Sequence, residues 1–316
     1  MTSETKAGLK LVAPPALYAV LLLAAPLATV LIYSVLTGDK GKVGLPVTLD
    51  NYYDLFKMKG GQNLLSYIAA GMPSEDPTAS LWARFRDGVS DAIYIVIMGR
   101  SLVISMLVTF ATVALAYPIA YFVSFHVRPE RKSLWLFLIT IPFWTSYIIR
   151  VALWRTILGY NGIVDNFLTA IGLEPANILA NGVAAITITL AHAFAPFAVL
   201  PIFVSLEKVD RSLLEAGQDL GESRWSTFLR VTLPLTMPGV IAAVLIVFIP
   251  TVGDYVTPKL IGGGQVPMIA NLMETEMLTK RDQAMGSAIA VAAMSIVAVI
   301  SIIFVVWNRR YIGGKK

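Results

Sequence analysis

Four ionisable side chains, Arg100, Arg150, His192 and Asp254, stand in or beside long apolar runs of this 316-residue chain. A charge in hydrocarbon is costly, so such a group either serves a function or snorkels to water. Arg100 and Arg150 fall near one end of their runs, where snorkelling or a salt bridge to a loop is expected. His192 lies mid-run in ITLAHAFAPF, and no second His or carboxylate stands four residues on. That predicts a hydrogen-bonded interior histidine rather than a metal ligand. Asp254 follows Pro250 and Gly253 and has two readings. It is an acceptor for a passing cation, with Tyr255 and Trp144 as π faces, or it caps a broken helix or pairs with Lys259. Trp144, Tyr147 and Trp154 likewise read either as pathway aromatics or as an interfacial belt. Enzyme chemistry has little to work with: there is no cysteine, and His126, His192 and scattered carboxylates make no catalytic constellation. No GxxxxGK[ST] loop is present to cradle a nucleotide, and Gly262, Gly263 and Gly264 read as a flexible turn.

The elements that must position these residues follow from composition. At 56% hydrophobic and 14% charged, the chain is far from a soluble domain, where about a quarter of residues are charged. It is an integral membrane protein. A hydrocarbon core of about 30 Å takes about 20 helical residues per crossing, so the length suits one bundle with no separate soluble domain. Apolar runs at about 12–36, 101–125, 134–153, 183–206, 234–255 and 285–307 supply six spans. Backbone groups in lipid must pair within the segment, so the fold is an all-α polytopic helical bundle. The first run is too long for a signal-peptide core and is expected to remain as a helix. Pro142, Pro196, Pro250 and Pro258 each permit a break or kink in or beside a span.

Basic residues set the orientation. Lys6 and Lys10, then Arg128, Arg131 and Lys132, then Lys208, Arg211, Arg224 and Arg230, then Arg309, Arg310, Lys315 and Lys316 all fall on one side. By the positive-inside rule that side, with both termini, is cytoplasmic. Basic charge beside apolar spans signals topology, and nucleic-acid binding is not expected. The organisation is thus a tail and first span (1–36), an extracytoplasmic loop (37–91) and a core (92–310) that includes a cytoplasmic loop (207–233). In that loop Leu206, Val209, Leu213, Ala216 and Leu220 recur at spacings of three and four and form one apolar face. Gly221 ends a helix, Ser223 caps the next, and Pro234 opens the fifth span. On periodicity alone, the product is an amphipathic hairpin resting on lipid headgroups.

The spacing adds more. Glu215, Ala216 and Gly217, then Gly221, Val231, Leu233 and Pro234, closely resemble the cytoplasmic signature EAA-x3-G-x9-I-x-LP of binding-protein-dependent ABC importer permeases. Gly217 replaces the second Ala and Val231 replaces Ile. The stretches 141–168 and 247–273 are similar to permease subunits of the spermidine/putrescine importer group, and the likeness covers roughly 90–310. The resemblance implies a coupling helix that docks on a separate ATPase through Glu215, Ala216, Gly217, Asp219 and Gly221, with Leu233 and Pro234 completing the signature. It implies no cofactor on this chain, with ATP and Mg bound by the ATPase. It also implies a heterodimer with a second permease subunit, two ATP-binding subunits and an extracytoplasmic solute-binding protein, in the bacterial inner membrane. Asp254, Tyr255, Trp144 and Tyr147 are the candidate pathway residues. The solute is expected to be a polyamine; an amino-acid derivative, opine, organic anion or iron chelate is the alternative. An ion-coupled secondary carrier would need intramembrane carboxylates and often internal repeats, and here there is one such acid and no repeat.

Overall fold

The computed structural model describes residues 3–39, 41–73, 78–262 and 265–312; Gly263, Gly264, Lys315 and Lys316 lie outside them. In chain order the elements begin with α1 (Ser3–Ser34), a two-stranded antiparallel hairpin of β1 (Leu36–Asp39) and β2 (Lys42–Val47), and the short helices α2 (Asp50–Asp54), α3 (Leu64–Ala69) and α4 (Leu81–Asp91). Then come α5 (Ile93–Phe125), α6 (Pro129–Thr140), α7 (Tyr147–Leu158), α8 (Ile163–Ala170), α9 (Gly182–Leu206), α10 (Arg211–Asp219) and α11 (Arg224–Thr227). The chain continues through α12 (Leu233–Val252), α13 (Val256–Leu260), α14 (Ile269–Glu274), α15 (Gln283–Trp307) and α16 (Arg309–Ile312). Two compact units result, one of Met1–Val96 with Leu272–Ser295 and one of Ile97–Asn271 with Ile296–Lys316.

Among the described residues five helices are long and apolar enough to cross a membrane, and one bent pair passes the same test when taken as a single broken span. The bend falls in the third span, where Pro142 permits a break. Pro129–Trp144 and Tyr147–Ala170 meet at 87°, because α6 passes into a 3-10 turn at Ile141–Trp144 that contains Pro142. Proline cannot donate to the preceding turn, and its ring crowds the carbonyl four residues back. The second span also begins earlier than expected: α5 starts at Ile93, so Arg100 lies inside the helix.

In the first unit, the expected loop is folded. The β hairpin is held by Asn51 Nδ2, which donates to the carbonyls of Ser34 (3.0 Å) and Leu36 (2.8 Å). Gly41 N donates to the Arg281 carbonyl at 2.8 Å. Buried Glu276 accepts from Tyr94 Oη (2.9 Å) and Lys280 Nζ (2.7 Å) within a π-helical turn.

In the second unit, α9 is the central element, with 56% of its most apolar window buried. Its Ile186, Leu190, Ile202 and Leu206 meet Ile104 and Val108 of α5, Val151 of α7 and Val247 of α12 in one core. Lipid tails are as apolar as these side chains, so close backbone approach rather than hydrophobicity holds such helices together. Ser101, Ser105, Thr109 and Thr112 accordingly line one buried stripe of α5. Three of them turn their hydroxyls back to Ile97, Ser105 and Val108 carbonyls at 2.6–2.8 Å. At the α9–α12 contact Gly239 has no room for a side chain: a methyl there would overlap the Pro201 carbonyl and the Ser205 hydroxyl. Gly239→Leu is therefore expected to destabilise the bundle by at least the cost of core overpacking, about 1–3 kcal/mol. A clearly lowered melting temperature in detergent relative to wild type is the outcome that checks it.

Candidate functional site

The 205–234 segment forms the expected helix, turn and short helix. Gly221 has φ +85°, a left-handed conformation that glycine adopts without penalty. Leu220 N donates to Ala216 O and Glu222 N to Gly217 O, which satisfies the last carbonyls of α10. Ser223 then caps α11, its hydroxyl accepting from Ser226 N at 3.2 Å. A π-helical turn, Phe228–Thr232, leads into α12, with Leu233 and Pro234 in its first turn. That exit is fastened by Tyr117, whose hydroxyl bonds Thr236 Oγ1 at 2.8 Å and whose ring meets Phe228 edge-on. Glu222 and Arg230 pair at 2.6 Å across the turn.

The helix expected to run on from Leu206 breaks at 207–210 before α10 begins at Arg211. Leu206 and Val209 are buried, but Leu213, Ala216 and Leu220 are exposed, Leu220 by 85%. The inward positions of α10 are Leu214 and Gly217, both half-buried. Gly217 faces Thr227, and a methyl in its place would lie 3.3 Å from that side chain. The small residue at 217 therefore serves packing between α10 and α11, whereas Glu215, Ala216 and Asp219 stand on the open side beside Leu220.

At the base of the hairpin one carboxylate gathers several elements. Glu207 Oε1 accepts from Ser124 Oγ (2.6 Å) and Lys132 Nζ (2.6 Å), and Oε2 accepts from Lys132 Nζ at 2.9 Å. Arg211 Nη2 donates to the Ser124 carbonyl at 3.3 Å. Partial burial works against the Glu207 charge, but Lys132, Ser124 and Arg211 more than offset it and hold the carboxyl below its ordinary range.

Beyond the far end of α12, Asp254 is 8% exposed. Its Oδ1 accepts from Val256 N at 3.1 Å, the turn-capping reading. Its Oδ2 is buried without a hydrogen-bond partner among the described residues. Tyr147 and Thr257, whose hydroxyls bond each other at 2.8 Å, are its polar neighbours. The structure thus joins Tyr147 to Asp254 and adds Thr257, which nothing in the sequence singled out. Tyr255 is half-exposed, its carbonyl accepting from Asn271 Nδ2 at 2.8 Å, and Trp144 is 79% exposed at the end of the 3-10 turn. Arg150 corrects the snorkelling expectation. It is buried and donates to the carbonyls of Thr145 (3.0 Å), Phe143 (3.3 Å) and Ala193 (3.4 Å), two of which the broken third span leaves free. His192 accepts from Trp154 Nε1 at its Nδ1, 3.2 Å away, as an interior histidine should. Among the described residues no cluster of three or more His, Cys, Asp or Glu could hold a metal ion.

Residues 63–313 match the family described as binding-protein-dependent transport system inner membrane component. The chain belongs to that family. It is a multi-pass bacterial membrane protein and the permease subunit of an ABC importer. The permease is 35% identical over 225 residues to the spermidine/putrescine transport system permease protein PotB of Haemophilus influenzae, covering 71% of this chain and 78% of that one. To the protein of the same name from Escherichia coli K12 it is 34% identical over 228 residues, 72% and 82% of the two chains. Its fold is similar to a chain in the crystal structure of a bacterial ABC transporter that imports the acidic polysaccharide alginate. That likeness has a TM-score of 0.63 at 15% identity and covers 95% and 94% of the two chains.

The depressed Glu207 carboxyl has a consequence for stability. A carboxyl with a lowered folded-state value contributes stability above its unfolded value, here 4.5, and loses it as pH falls through the lower folded value. Melting temperatures of wild type and Glu207→Gln are expected to differ by a constant amount between about pH 5 and pH 7. The gap should shrink below pH 4.5; a gap independent of pH down to strong acid would contradict the assignment.

Proposed function

We propose that this permease forms half of the pathway of an ATP-driven polyamine importer. It pairs with a second six-span permease, two ATP-binding subunits that carry ATP and Mg, and an extracytoplasmic solute-binding protein. The observation that carries the reading is the open face of α10. Glu215, Ala216 and Asp219 stand exposed beside Leu220, on a hairpin that is internally capped and packed. An apolar strip rimmed by charge on a rigid support suits a protein groove better than bulk water. With the hairpin in the cytoplasm, as the basic residues around it require, the groove belongs to the ATPase and both termini are cytoplasmic. The relatives named as spermidine/putrescine permeases support the solute class. A neighbouring alginate importer was solved in complex with a periplasmic protein, which supports a binding-protein partner for this fold.

Two variants test the reading. Ala216→Trp adds bulk to the open face of α10 without touching the hairpin interior. It should reduce copurification of the ATPase and polyamine uptake at least about tenfold, as a clash at a packed interface does. Wild-type copurification and uptake would remove α10 from the interface. Gly221 is a poor probe, because any side chain there strains the turn itself.

Asp254→Asn keeps the hydrogen bond to Val256 N and removes only the charge. If that charge attracts a polycation on its way through, uptake of labelled spermidine should fall about tenfold, the size of one well-placed charge interaction. The comparison is made at matched expression with the binding protein saturated. Equal uptake would leave Asp254 as a cap alone.

A further inference from the structure

The connection between α9 and α10 is short, residues 207–210, and Asp210 Oδ1 accepts from Ser212 N at 3.0 Å to start α10. By covalent linkage alone, a force on α10 would reach α9 at one end and α12 at the other. The ends of α5 and α6 would be left to follow through side-chain packing.

Glu207 changes that connectivity. Its carboxylate accepts hydrogen bonds from Ser124, in the last turn of α5, and from Lys132, in the first turn of α6. Ser124 is held from its other side by Arg211, the first residue of α10, whose guanidinium also lies 5.8 Å from the Phe125 ring centre. Leu206 and Val209, flanking the carboxylate in sequence, are buried, so the loop that carries it cannot swing freely. The Lys132 side chain is only 13% exposed, against 73% for Arg230 in the hairpin's other ion pair, so solvent screens the Glu207 pair less.

We propose that Glu207 is a positioning residue for coupling: it clasps the ends of α5 and α6 to the base of the hairpin, so that displacement of α10 moves the second, third and fourth spans together. The proposal rests on α10 being the ATPase contact. Loss of the clasp leaves docking intact and lets the hairpin move without the bundle, so ATP is hydrolysed with less solute moved.

The test uses the complete transporter in proteoliposomes with its binding protein, and reads solute taken up per ATP hydrolysed. Glu207→Gln and Lys132→Met are each expected to lower that ratio about three- to tenfold, the range of a lost coupling contact, while the ATPase still copurifies. The exchange Glu207→Lys with Lys132→Glu restores opposite charges and should return the ratio to within about twofold of wild type. A purely local structural role would lower assembly or melting temperature without changing the ratio, and would gain nothing specific from the exchange. An unchanged ratio in both single variants, or an exchanged pair as poor as the singles, overturns the clasp. If a single variant does not assemble, the exchanged pair decides alone. Ala216→Trp run alongside separates the two ideas: if it copurifies and transports normally, the docking reading fails whatever the clasp variants do.

Discussion

In hydrocarbon, every backbone donor and acceptor must find a partner inside the protein, and much of this permease follows from where that rule is strained. An unbroken helix such as α15, which has no internal proline, satisfies it by itself. The third span does not, since Pro142 and the turn after it interrupt the hydrogen-bond ladder. Arg150 repairs the break by donating to Phe143 and Thr145, and its third contact, to Ala193, ties the repaired elbow to α9. Asp254 does the same service in the turn after α12, capping Val256 N. Two of the intramembrane ionisable groups are thus partners for broken backbone. Breaks of this kind are tolerated where they are buried or line a cavity, and Arg150 and Asp254 are both buried.

The hairpin solves a different problem. It must stay rigid while presenting an uncovered apolar face, and it does so with short-range devices. These are a left-handed glycine, a serine cap, a glycine that admits Thr227, and aromatic contacts around Phe228. All of them lie within the chain itself. The exposed Leu213 and Leu220 are then left for another surface to cover.

The long apolar helices were legible in the sequence because a crossing needs a long apolar run, and such runs are hard to disguise. Gly221 and Ser223 were legible because each residue type suits one backbone position. What was hidden depends on tertiary partners. Pro142 marks the possibility of a break, but the 87° elbow needs the Arg150 contacts to hold it. Periodicity identified the stripe Leu213, Ala216 and Leu220 without saying what covers it. The β hairpin in the 37–91 segment lacks alternating apolarity and gave no signal, and Thr257 beside Tyr147 is an ordinary threonine until the fold brings the two together.

If ATP rather than an ion gradient drives the pathway, uptake must follow the nucleotide alone. The assembled transporter with its binding protein should accumulate polyamine in proteoliposomes supplied with ATP on the ATPase side, with proton and sodium gradients collapsed by ionophores. Uptake undiminished by the ionophores and absent without ATP is the predicted result. Uptake that vanishes with a protonophore while ATP is still present would instead show an ion-coupled carrier.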